Sequence, residues 1–107
     1  MSFNEVVKVS RPKPSIILNH TDPRSHVAEQ VLKAEAIYAV FHNGAPINLR
    51  SIHTLLNDRG AKYKKCSFSN PGHAFNLAEK LNTLFKTDTF HVYALTAGER
   101  IEEKRDV

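Results

Sequence analysis

The sequence predicts a small α/β or α+β domain, a single-layer sheet of about three strands packed against two or three helices. Three observations predict it. Apolar residues recur at helical spacing in some stretches, β-branched and aromatic residues crowd others, and Asn, Gly and Pro mark the boundaries between them. From Ala36 onward the order reads strand, helix, strand, helix, strand, after one earlier helix. Helices alternating with strands suggest layers, with right-handed crossovers joining any parallel neighbours.

Residues 1–22 read as an extended or partly disordered basic arm. Ser10-Arg11-Pro12-Lys13-Pro14 excludes helix, because each proline fixes φ and restricts the residue before it. Ser15-Ile16-Ile17-Leu18 is long enough for a short strand only. Residues 23–98 read as one domain. Asp22-Pro23 suits a helix start, since Asp caps and Pro fits the first helical position, and Val27, Val31 and Ala34 follow at spacings of four and three. Ala36 to His42 favours a strand ending in an Asn43-Gly44 turn, over a helix continuing to Gly44. Asn48 is placed to cap a helix with Leu49, Ile52, Leu55 and Leu56 on one face, closed by Asp58-Arg59-Gly60.

Ala61 to Phe68 reads as a strand. Ser69-Asn70-Pro71-Gly72 then leads into the strongest helical pattern, with Ala74, Leu77, Ala78, Leu81, Leu84 and Phe85 in one stripe. Thr89 to Leu95 is the last strand, and residues 99–107 form a charged tail expected to fray.

The 107 residues carry 15 Lys+Arg against 11 Asp+Glu, a formal charge of +4, and 41% are hydrophobic. That is enough apolar sequence for one core, and it sets the chain apart from disordered and collagenous classes. No apolar run reaches the ~20 residues of a membrane span and no leader pattern follows Met1, so a cytoplasmic protein without a membrane partner is expected. The single cysteine, Cys66, builds no internal disulfide and no cysteine zinc cluster. It shares a strand face with Phe68, which predicts a buried, inert thiol rather than a nucleophile for His73. The six histidines are never closer than six positions, so no helical metal pair forms, and no two carboxylates are paired by spacing. The chain is therefore expected not to be an enzyme and to need no cofactor or metal.

Strand alternation puts Ile37, Ala39 and Phe41 toward the helices, together with Cys66, Phe68, Phe90, Val92 and Ala94. The opposite parity gathers all three tyrosines, Tyr38, Tyr63 and Tyr93, with His42, Lys65 and His91. Arg59, Lys62, Lys64 and Lys65 put four positive charges into seven residues without an acid. Bases stack on aromatic rings while Lys and Arg hold phosphates, so Tyr38, Tyr63, Tyr93, Arg59, Lys62, Lys64 and Lys65 form the candidate nucleic-acid surface. Single-stranded nucleic acid or an acidic protein is the expected partner. An adaptor or regulator that orders its basic arm on a protein is the alternative. A second alternative is anion or small-ligand binding at Asn70, Gly72 and His73, where a strand gives way to a helix. Those same residues also make an ordinary helix start, Asn70 capping and Pro71 opening the first turn.

Overall fold

Glu29, Gln30 and Val31, expected inside a helix, lie in a β-hairpin. The computed structural model describes residues 13–56 and 60–103 and is α+β, with one helix and several antiparallel sheets among them. The chain divides between Ala34 and Glu35 into two units, each described here by itself.

The first unit is a hairpin of β1 (Ile16–Thr21) and β2 (Ala28–Leu32), paired antiparallel from Thr21↔Ala28 to Ile16↔Leu32 with a bulge between Ile16 and Leu18. The Asp-Pro signal does start a turn. Asp22 Oδ1 accepts from the Arg24 N–H at 2.8 Å, and the His26 N–H donates to Asp22 O at 2.8 Å. His26 then enters the left-handed region at φ 64, and Asp22 N–H closes the loop on Val27 O at 2.9 Å. One helical turn is thus capped and stopped, and the chain reverses into β2. The two prolines at 12 and 14 precede this hairpin, so the expected arm is strand from Ile16 onward.

The second unit is built around β3 (Ile37–His42). One edge of β3 pairs along its whole length with β8 (Phe90–Leu95), from Ile37↔Leu95 to His42↔Phe90. The other edge is shared by β4 (Ala45–Pro46), reached through the Asn43-Gly44 turn, and by β7 (Ser67–Phe68). Asn43 (φ 50) and Gly44 (φ 79) are both left-handed, the conformation that matches the strand twist in two-residue hairpins. A separate two-stranded ladder joins β5 (Leu49–Ser51) to β6 (Lys62–Lys64). Every pairing of described strands is antiparallel, so no parallel neighbours call for a crossover.

The helix α1 (Pro71–Phe85) carries the chain from β7 across β3 to β8. Asn70 Oδ1 accepts from the Gly72 N–H at 2.8 Å and Pro71 opens the helix, as the sequence predicts. At the far end Lys86 turns left-handed (φ 55). Its N–H donates to Thr83 O and that of Thr87 to Asn82 O, satisfying carbonyls the last turn leaves open.

The core lies between α1 and one face of the sheet. Val40, only 1% exposed, packs with Ala78 and Leu81, and Ile47, Leu49, Leu77, Phe90 and Val92 close around them. This inverts the expected parity of β3. Val40 lies opposite Val92, so Tyr38, Val40 and His42 are on the helix side, and Ile37, Ala39 and Phe41 are on the other face. The parity of β8 and of the Cys66–Phe68 stretch is as expected.

The helix expected over Asn48 to Gly60 does not form in the described part. Leu49 reaches the core, Arg50 and Ser51 pair with β6, and a single turn follows where Leu56 N–H donates to His53 O at 3.3 Å. Ile52, Leu55 and Leu56, the rest of the supposed apolar stripe, are exposed. Without a surface to bury, a stripe has nothing to hold it helical, and ladder pairing prevails. Asp58 and Arg59 lie outside the described residues. No helix among the described residues is long and apolar enough to cross a membrane.

Candidate nucleic-acid interface

The predicted tyrosine surface separates into three places. Tyr38 is half-buried on the helix-covered face of β3, opposite Phe68 on one side and Ala94 on the other. Tyr93 is on the opposite face, its ring stacked on Phe41 with centroids 4.3 Å apart and planes at 19°. Tyr63 stands at the centre of β6 and is 65% exposed. The three rings do not form one platform.

Around Tyr63 the ladder gathers positive charge. Arg50 lies directly opposite Tyr63, Lys62 opposite Ser51 and Lys64 opposite Leu49. Alternation along a strand puts Arg50 and Tyr63 on one face, and Lys62 and Lys64 on the other. All four are exposed, and none pairs with an acid among the described residues. Arg50 is the residue that sequence reasoning missed. Assigned to a helix, it had no reason to stand beside Tyr63. The signal that would have found it is Gly60, left-handed at φ 68 and three residues before Tyr63. Such a glycine suits the return loop of a hairpin as well as the end of a helix.

The track continues past the ladder. Lys65 follows β6, and its Nζ lies 5.2 Å from the Phe68 ring centroid. His73, in the first turn of α1, meets the same ring edge-on at 5.9 Å and 82°. The basic stretch and the helix start, which the sequence offered as separate candidates, therefore adjoin through Phe68. At the helix start the side chain of Asn70 is engaged with Gly72, and a Cβ on Gly72 would stand 3.2 Å from Asn70 Oδ1. Glycine there makes room for the cap, so Asn70 and Gly72 have structural tasks, and His73 is the one of the three whose side chain contacts the Phe68 ring.

The Cys66 thiol, half-buried, donates to the backbone carbonyl of Ile47 at 3.3 Å. Among the described residues no three His, Cys, Asp or Glu side chains are placed to hold a metal ion. What the Tyr63 region offers is an exposed ring beside Arg50 on one face of a two-stranded ladder, with Lys62 and Lys64 exposed on the other, which suits a polyanion with stackable groups. Comparison of the chain with protein-family models, with curated proteins and with solved structures gave no match.

Proposed function

We propose that the chain is a non-enzymatic binding module that holds single-stranded nucleic acid on the β5–β6 ladder and the track leading to α1. Tyr63 stacks on an unpaired base, and Arg50, Lys62, Lys64 and Lys65 hold the flanking phosphates. The observation that carries the reading is the register of the ladder, which sets Arg50 across from Tyr63 on one face, with Lys62 and Lys64, the neighbours of Tyr63 along the strand, on the other face of the same narrow ladder. An exposed ring among cations is the arrangement used for sequence-tolerant single-strand binding, where stacking contributes about 1–3 kcal/mol per base. Phe68, in contact with both Lys65 and His73, continues the aromatic character toward the helix start. Tyr38 has no part in this surface. Tyr93 belongs to another sheet face, and Arg59 lies outside the described residues.

An acidic protein would answer the same cations and bury the ring in a contact instead of stacking a base on it. Anisotropy of a labelled oligonucleotide at low salt tests the reading. The protein should bind, the variant combining Arg50→Glu with Lys64→Glu should lose binding while keeping its circular dichroism, and Tyr63→Leu should weaken it. Absence of binding by the unaltered protein at low salt, or equal binding by the charge-reversed variant, overturns the proposal. Binding that falls with charge reversal but ignores Tyr63→Leu favours a merely electrostatic partner and overturns the stacking role.

A further inference from the structure

The β1–β2 hairpin carries an unusual load for two strands. Every one of its strand residues is exposed, and Ile16, Ile17, Leu18, Val31 and Leu32 are each between 46% and 64% exposed. Among the described residues the hairpin pairs with no third strand, a two-stranded hairpin by itself is at best marginally stable in water, and an apolar strand edge is a template for pairing. The two outer edges differ. That of β1 is broken by the bulge at Ile17, whereas β2 runs Ala28-Glu29-Gln30-Val31-Leu32 without proline, glycine or irregularity.

The direction of the backbone groups is fixed at both ends of β2. Val27 O accepts from Asp22 N–H, and Lys33 N–H donates to Ser15 O, both at 2.9 Å. In a regular strand alternate residues turn their polar groups the same way, so Val27, Glu29, Val31 and Lys33 face β1. Ala28, Gln30 and Leu32 then point their N–H and C=O groups outward. We propose that this outer edge pairs antiparallel with the same edge of a second copy of the chain, on a two-fold axis at Val31.

The register follows from the sequence. Opposite residues in a two-fold antiparallel pair must both face inward or both face outward, so the axis passes through a single residue. An axis at Glu29 sets two glutamates face to face. An axis at Gln30 sets Glu29 against Val31. With the axis at Val31, Glu29 meets the partner's Lys33 and Lys33 meets the partner's Glu29, while Gln30 and the partner's Leu32 exchange backbone hydrogen bonds. Neither Glu29 nor Lys33 has an ion-pair partner within the described chain. Leu18 stands opposite Val31 within the hairpin, so an apolar row would cross all four strands through the axis, flanked by charge pairs. Self-complementarity of this kind is what an isologous contact requires.

Sedimentation or light scattering of the full chain over a concentration series tests the pairing. The unaltered protein should dimerise. Glu29→Lys alone and Lys33→Glu alone each place like charges across both symmetry-related positions and should weaken the dimer about tenfold or more. The two single variants mixed should form a heterodimer, and Glu29→Lys with Lys33→Glu in one chain should restore the homodimer. Gln30→Pro removes an outward N–H and leaves the β1–β2 backbone ladder its own bonds, losing within the hairpin only the exposed side-chain bond from Gln30 Nε2 to Asn19 Oδ1, so it should give a monomer with unchanged circular dichroism. A monomer at every concentration, or a dimer indifferent to both single charge reversals and to Gln30→Pro, overturns the proposal. Restoration by the double variant separates loss of pairing from loss of folding.

Discussion

Asn82 joins the helix to the sheet, and its removal gives a well-defined test of how the second unit is held together. Its Nδ2 donates to Phe90 O and its Oδ1 accepts from Phe90 N–H, both at 3.0 Å, so one amide side chain serves the first residue of β8 as a neighbouring strand would. Asn82→Ala deletes both bonds. At about 0.5–1.5 kcal/mol for each, the loss is about 1–3 kcal/mol, and because Phe90 is only half-buried, water relieves part of the desolvation cost. Alanine returns about 0.5 kcal/mol of helix propensity, leaving a net destabilisation of about 1.5 kcal/mol. At roughly 4–8 °C per kcal/mol for a domain of this size, Tm should fall by about 6–12 °C. Urea denaturation gives the free energy directly, with the slope unchanged if only stability is altered. Asn76→Ala, at an exposed position of the same helix, is the control and should stay within about 0.5 kcal/mol of the parent. If Asn82→Ala and Asn76→Ala unfold at the same urea concentration, the amide does not fasten α1 to β8 and the reasoning fails.

Two further perturbations probe the same unit. Leu81→Ala, on the buried side of α1 against Val40, should cost about 2–4 kcal/mol by equilibrium unfolding, as the loss of a buried leucine in a small core does. Gly44→Ala should cost about 1–2 kcal/mol, because the residue sits at φ 79. Open space is not the limit there, since an added Cβ would meet only the Tyr93 hydroxyl at an ordinary 3.6 Å.

Sequence and structure agree where two independent signals coincide. For α1 the Asn70-Pro71 start and the apolar stripe both point to the same helix, although the stripe is buried at Ala74, Ala78 and Leu81 and exposed at Leu84 and Phe85. For β3 the aromatic and branched residues were confirmed by the Asn43-Gly44 turn. Asp22-Pro23 misled because capping is local. Those residues start a helical turn equally well whether the chain continues or, as here, reverses at His26. The face of β3 was illegible for a different reason. Ile37, Ala39 and Phe41 are as apolar as Tyr38 and Val40, and only the pairing of Val40 with Val92 decides which row α1 covers. That tertiary fact also parted Tyr38 from Tyr93. The charged stretch from Lys62 to Lys65 was readable from composition, but its partner Arg50 became visible only with the β5–β6 register.

The salt dependence of oligonucleotide binding tests the central claim most directly. Four cations on a single strand, at about −0.7 per phosphate neutralised, predict a slope of about −2.8 in log affinity against log salt. Affinity should therefore fall roughly 50-fold between about 50 and 200 mM salt. Lys64→Ala should flatten the slope by about 0.7. Tyr63→Ala should lower affinity by about 1–3 kcal/mol with the slope preserved, because stacking releases no counterions. A slope near zero, or one that Lys64→Ala leaves unchanged, would contradict a phosphate-binding ladder at β5–β6.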